Sequence, residues 1–327
     1  MSKKLTILDI AKLSGVGKST VSRVLTNDPK VKPETREKVE RVIAEHGYVP
    51  SKSAQSMRSG GTQKVIGVII SRLDSPSENK AVSSMLKVLY GAGYDVVIME
   101  SQFDPLKTNE HLSVLRKRNV DGVIVFGFTT LDLDVVASWD EKVVVIAMDT
   151  DRVSSINYDN AGLIQAVLDK LKVQGVSQLA FIGVDPNDKT TGLARLNAYQ
   201  AWCEEQQLPI CFRTGELHHE SAYSLVDDVV TDSLQAIVCA SDTLALGTIK
   251  RLQELGREDI IVTGIGGNEL LSFLFPNIYS IDPGYHQAGE KAANLLIKQL
   301  KGEASSLISP KKLSISSVLA AILIVFY

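Results

Sequence analysis

The stretch SGVGKST, residues 14–20, places two glycines ahead of Lys-Ser-Thr. That order could cradle a nucleotide phosphate if it fitted G-x-x-x-x-G-K-[ST] directly after a strand. It fits on neither count. Lys12 stands where the first glycine should be, and Ile7, Ile10, Ala11 and Leu13 fall at helical spacing with polar residues between them. Thr6, with Asp9 three residues on, predicts a capping box closed by the shorter acid. The spacing therefore predicts a helix over about 7–13, a break at SGVG, and a second helix opening near Lys18 with Val21, Val24 and Leu25 on its apolar face. Two short helices across a Gly-containing turn make a helix-turn-helix, whose second helix presents its start to the DNA major groove. Lys18, Ser19 and Thr20 occupy that start, with Ser22 and Arg23 behind. These side chains can reach base edges or phosphates. A third helix after Pro33, PETREKVERVIAEHGY, can complete a small core with Val39, Val42, Ile43 and Ala44. The competing reading is a basic, solvated hairpin that binds nothing.

A second group of residues could bind a sugar. Arg72, Asp149, the segment Asp188, Lys189, Thr190, Thr191, then Arg195, Asp242 with Thr243, Asn268 and Tyr285 each follow an apolar run of strand length. Carboxylates, amides, hydroxyls and an aromatic suit a sugar, and Arg72, Lys189 and Arg195 suit a phosphate. Taken singly, each reads equally well as a solvated loop residue. Their common place, just beyond the strands, favours a ligand cleft. No G-x-S-x-G occurs, and HHE at 218–220 has no H-x-x-x-H companion, so it reads as a polar loop. Neither an enzyme, a metal site nor a cofactor is expected.

The elements that must position these groups follow from the pattern. Runs such as KVIGVII, DVVIME, GVIVFG, VVVIAMD, QLAFIGV, AIVCA and IIVTGIG alternate with helical stretches at about 80–92, 106–118, 161–174 and 243–255. Strand–helix alternation with uninterrupted apolar strands predicts parallel sheets covered on both faces. The number of repeats predicts two α/β subdomains with a cleft between them. Between this body and the N-terminal helices lies YVPSKSAQSMRSGGTQ, residues 48–63. Residues 51–58 can form two helical turns that are marginal alone and suit an element that orders on a partner. A flexible tether is the plainer reading.

Charge divides the same way. Residues 1–64 hold 13 Lys/Arg and 6 Asp/Glu, a balance of +7, and the rest hold 22 and 32, a balance of −10. A basic first segment on an acidic body predicts contact with a polyanion. Three cysteines, Cys203, Cys211 and Cys239, form no C-x-x-C and read as reduced thiols. The N-terminus has no continuous apolar segment of a secretory signal, so a cytoplasmic protein is expected. The chain ends in ten apolar residues, 318–327, too few to span a bilayer. They would form an exposed patch unless packed against the body or a partner.

LTILDIAKLSGVGKSTVSRVL followed by TREKVERVIAEHGYVPS closely resembles the DNA-binding headpiece of LacI/GalR repressors, through the gapless pattern A-x-x-x-G-V-x-x-x-T-V-S-R-V-L. The body resembles the effector domain of the same family, itself similar to periplasmic sugar-binding proteins, and the match runs from about Leu5 to about Leu313. The resemblance implies an α/β protein with a three-helix headpiece (1–50), a hinge helix and linker (51–62), a two-subdomain effector-binding and dimerisation domain (63–314) and an atypical apolar tail (315–327). It implies a homodimer on operator double-stranded DNA, read by Lys18 and Ser19, with Thr6, Thr20, Ser22, Arg23, Asn27 and Thr35 in support. Met57 would be the hinge's apolar lever in the minor groove, with Ala54 allowing close approach. Gln55 stands where the family usually has arginine. Stretches such as SRLDSPSEN, MESQFDP, TTG, SDTLALG and DPGYHQAG resemble the branch that answers to trehalose 6-phosphate. That branch leads one to expect arginine where this chain has Met148, beside Asp149. A regulator of another sugar remains the alternative. A sugar-binding transport protein is disfavoured by the headpiece.

Overall fold

The computed structural model describes residues 5–26, 28–48 and 64–303, and the backbone of 312–315. The chain divides into two compact units, Met1–Lys64 and Val65–Tyr327. Asn27, the expected hinge helix with Ala54 and Met57, and the tail beyond Ile315 lie outside the described residues.

In the first unit, α1 (Ile7–Ser14), α2 (Lys18–Leu25) and α3 (Pro33–Glu45) form the three-helix array. The capping box is present: Thr6 Oγ1 accepts from the Asp9 amide at 3.4 Å, and Asp9 Oδ2 accepts from the Thr6 amide at 2.8 Å. Gly15, at φ 61°, ends α1 in the left-handed region, where a side chain would be strained. Ile10, Ala11, Val21, Val24 and Val39 are buried, with Val42 and Ile43 packed against them. Two expectations fail here. Ala44 and Leu13 are exposed. Val39, Val42 and Ile43 define the inner stripe of α3, and Ala44 falls off it. In α1 the inner position goes to Ser14, whose hydroxyl donates to the Ile10 carbonyl at 2.6 Å.

In the second unit, β1 (Val65–Ile70), β2 (Asp95–Glu100), β3 (Gly122–Phe126), β4 (Val143–Ile146) and β5 (Ser154–Tyr158) build the first sheet. β6 (Leu179–Val184), β7 (Phe212–Gly215), β8 (Ala236–Cys239), β9 (Ile261–Ile265) and β10 (Tyr279–Ile281) build the second, and β11 (Lys312–Ile315) returns to the first. The orders are β11-β5-β4-β3-β1-β2 and β10-β9-β8-β6-β7, all parallel. Continuous apolar strands follow from helices on both faces. Along β1, Ile66, Val68 and Ile70 enter one core cluster while Ile69 enters the other.

The helices of this unit are α4 (Pro76–Gly91), α5 (Pro105–Lys117), α6 (Leu133–Ala137), α7 (Asn160–Val173), α8 (Gly192–Glu205), α9 (His219–Leu225), α10 (Asp242–Glu254), α11 (Glu269–Leu274) and α12 (Tyr285–Leu300). α7 packs in the second lobe, whereas α12 returns to lie on α4 and on β3, β4 and β5 of the first. The chain therefore crosses between lobes twice in the described residues, after β5 and after β10. Two expectations about boundaries are corrected. α4 starts four residues before Lys80, because Ser75 caps it and Pro76 takes N1. HHE is not a loop: His218 Nδ1 caps α9, accepting from the Glu220 amide at 3.3 Å. Among the described residues no group of side chains could hold a metal, and no helix is long and apolar enough to cross a membrane.

Candidate functional site

The carboxyl ends of both sheets face one cleft, at the two crossovers. It contains a cavity of about 400 Å³, within the range that holds a small ligand. Of the sequence-predicted residues, Arg72, Asp188, Thr190, Thr191, Arg195 and Tyr285 line it. Asp242, Thr243 and Asn268, with Arg72, Arg195 and Tyr285 again, line an adjoining chamber of about 90 Å³. Asp149 and Lys189, expected at the site, are exposed and line neither chamber. β4 ends at Ile146, and Ala147, at φ 66°, turns the chain so that Ala147 rather than Asp149 meets the cavity. Lys189 lies in the turn that Asp188 closes by accepting from Thr190, amide and hydroxyl, at 2.9 and 2.5 Å; the Lys189 amide donates to Thr129 Oγ1 at 2.9 Å, while the residue is exposed.

Arg72 and Arg195 differ in what they offer. Arg195 is 3% exposed; Nε donates to Asn160 Oδ1 at 2.8 Å and Nη1 donates to the Ala240 carbonyl. Its guanidinium is a buried brace between α8, the first crossover and β8. Arg72 is half-buried. Its Nε is buried and makes no hydrogen bond, lying 3.4 Å from Asp74 Oδ1 without hydrogen-bond geometry. Asp74 is 83% exposed, so this ion pair neutralises little. Arg72 thus keeps capacity for a ligand anion. Asp242 does not: its carboxylate accepts from Ser280 Oγ at 2.7 Å and from the Asn268 amide at 2.7 Å, fixing the loop after β9. Glycine is required opposite it, since a Cβ on Gly264 or Gly266 would overlap that carboxylate.

Sequence reasoning missed Glu78, Tyr158 and Asn160, which also line the main cavity. Tyr158 and Tyr285 meet edge to face at 5.2 Å, an aromatic wall of the kind that holds a sugar ring. Glu78 accepts from the Ser71 amide at 2.7 Å, yet burial pushes its carboxyl up to about 7. Its folded-state value lies above the ordinary 4.5, so folding favours the proton. The corresponding stability is present in full below about pH 4.5 and is lost as pH rises through 7. After discounting for residual solvent the effect is about 1–2 kcal/mol. Glu78→Gln is expected to flatten this slope. Urea denaturation between pH 4.5 and 8 measures it, and an unchanged slope would sink the assignment.

In the first unit, Lys18 and Ser19 are exposed on the first turn of α2, Thr20 and Ser22 are half-buried, and Arg23 is 64% exposed beside Asp28. Thr6 uses its hydroxyl in the capping box, and Thr35 lies half-buried in the first turn of α3. The array leaves α2 with a polar, cationic outer face suited to a groove. Lys18→Ala is expected to change which operator bases are preferred, by about 1–3 kcal/mol. Gel shifts on single-base operator variants check this: equal weakening on every sequence would make Lys18 a phosphate contact only.

A helix-turn-helix unit followed by a two-lobed body with a polar cleft at its crossovers is the plan of a ligand-responsive DNA-binding regulator. Residues 6–51 match the family described as bacterial regulatory proteins, lacI family, and residues 168–313 match a periplasmic binding protein-like domain. The HTH-type transcriptional regulator TreR of Salmonella typhimurium is 45% identical over 321 residues, covering 98% of this chain and all of that one. TreR of Escherichia coli is 45% identical over 96% of this chain and 100% of its own. The chain belongs to the LacI family of bacterial transcriptional regulators. The solved trehalose repressor from Escherichia coli superposes with a TM-score of 0.75 at 40% identity, over 77% of this chain and 98% of that one. The lac repressor dimer bound to operator and an anti-inducer shares the fold, with a TM-score of 0.79 at 23% identity, over 95% of this chain and 96% of that one.

Proposed function

We propose that this chain is a cytoplasmic, non-enzymatic repressor of a trehalose-utilisation operon, bound to operator DNA as a homodimer and released by trehalose 6-phosphate. The observation that carries the reading is the cleft: a 400 Å³ cavity lined by hydroxyls, Asp188, two tyrosines and an arginine with spare donors, in a chain 45% identical to trehalose regulators along its length. Lys18, Ser19, Thr20, Ser22 and Arg23 read the operator, with Thr6, Asn27 and Thr35 at the backbone and Ala54 and Met57 at the hinge. A ligand moves such a protein between states only by binding one of them better. Closure of the lobes on the sugar phosphate is the proposed difference.

Gel shifts on DNA upstream of trehalose-uptake genes, with trehalose 6-phosphate, trehalose and glucose 6-phosphate in parallel arms, test the proposal. Release by trehalose 6-phosphate alone supports it. Release by a different sugar phosphate moves the reading to another effector, which Met148 favours: this apolar side chain packs on the core cluster beside the cavity and brings no charge. Tighter binding with ligand would make it a corepressor and overturn the stated sign.

A further inference from the structure

The two chambers of the cleft differ in charge. The main cavity sets the carboxyls of Glu78 and Asp188 against Arg72 and Arg195, the two arginines that line both chambers. The small chamber is lined by Arg72, Lys80 and Arg195 against Asp242 alone, and the Asp242 carboxylate is already engaged by Ser280 and the Asn268 amide. A chamber with carboxyls facing its arginines suits a neutral sugar, and a chamber with excess cation suits a compact anion.

Lys80 is the residue that neither the strand-end rule nor its place in α4 singles out. It lies one turn along α4 from Ser77, so both face the small chamber. Its ammonium crosses the cleft and donates to the Gly266 and Gly267 carbonyls, at 3.0 and 2.6 Å, in the loop after β9 of the opposite lobe. An ammonium carries three donors, and the carbonyls take two. Among the described residues no carboxylate lies within ion-pair distance of it; its two hydrogen-bond acceptors are neutral carbonyls, and Asp242 in the same chamber feels its charge from further off.

We propose that the small chamber seats the phosphate of the effector and that Lys80 ties this phosphate to lobe closure, donating to it while holding the Gly266 and Gly267 carbonyls across the cleft. The inference rests on the reading of the effector as a sugar phosphate. It makes Lys80, beside Arg72, a residue that separates phosphorylated from unphosphorylated ligand, and it places the link between the phosphate and the opposite lobe on the Lys80 side chain.

Calorimetry on the full chain, wild type and Lys80→Met, tests it with trehalose 6-phosphate, trehalose, glucose 6-phosphate and glucose. Methionine keeps most of the stem and removes the charge. The expected result is a loss of about tenfold or more in affinity for the phosphorylated sugar, with little change for its unphosphorylated counterpart. Lys80→Arg keeps the charge and should retain the preference, which keeps the test decisive should the methionine variant fold poorly. Equal losses for both sugars would make Lys80 a lobe latch only and overturn the proposal, as would no loss at all. If the wild type prefers trehalose to its phosphate, the phosphate seat fails while the trehalose reading stands. If it binds glucose 6-phosphate in a Lys80-dependent way and ignores trehalose 6-phosphate, the trehalose reading fails while the seat stands. Binding of none of the four overturns both.

Discussion

Replacing Arg72 by alanine is expected to leave operator binding intact and to abolish its release by trehalose 6-phosphate. Arg72 lies two residues beyond β1, lines both chambers, and has a buried Nε without a hydrogen bond. Its present partners contribute little: Asp74 is exposed, and the Phe103 ring lies 5.9 Å from the guanidinium carbon. Removing it should therefore cost the folded protein well under 1 kcal/mol. Its contribution to a bound phosphate is larger, because a charge-assisted bond contributes about 1.5–3 kcal/mol, or roughly 10–100-fold in affinity. The proposed operator-reading residues Lys18, Ser19, Thr20, Ser22 and Arg23 belong to the first unit, so the substitution leaves them unchanged. Calorimetry with trehalose and its phosphate separates the possibilities. A loss confined to the phosphorylated sugar supports the role, and equal losses would show that Arg72 shapes the cavity without holding the phosphate.

The headpiece was legible because its signals are local. Thr6, Asp9 and Gly15 act within one turn of where they stand, and the apolar spacing of two short helices leaves one way to pack them. The central strands were legible because burial on both faces forces runs of Val and Ile. β5, SSINY, and β7, FRTG, escaped because their strand character comes from neighbours: Ser155 is buried only because β4 and β11 flank it, its hydroxyl donating to the Thr150 carbonyl at 3.3 Å. Missing β5 also hid Tyr158, its last residue, and Asn160 two positions on, both of which line the cavity. Glu78 reads as a solvated acid in SPSEN, and nothing nearby announces that α4 will point it into a cavity. The rule that ligands lie beyond strand ends located the neighbourhood but not the direction. It named Asp188 and Tyr285, which line the cavity, and also Asp149 and Lys189, which are exposed and do not.

The position of α4, and with it Ser77, Glu78 and Lys80, depends on one glycine. Gly289 of α12 lies so close to α4 that a Cβ would overlap the Ala81 carbonyl oxygen and meet Ser84 Oγ at 2.5 Å. Ser84 Oγ cannot simply turn away, because it sits between the His286 carbonyl at 2.7 Å and the Ala81 carbonyl at 2.9 Å, which share its one proton. Two effects oppose each other in Gly289→Ala. Helix propensity favours alanine by about 1 kcal/mol. Overpacking costs about 1–3 kcal/mol, and more where the obstacle is backbone. The second should win, giving a net loss of about 1–3 kcal/mol, and a larger one for Gly289→Val. A control sits on the partner helix: Gly91, the last residue of α4, has open space at its Cβ, so Gly91→Ala should be neutral or slightly stabilising. Urea denaturation ranks the three variants. Since the overlap pushes α4 off α12, Gly289→Ala should also weaken sugar binding, whereas Gly91→Ala should not. Wild-type stability in Gly289→Ala would mean that the two helices separate at no cost, and that the cleft is not set by this contact.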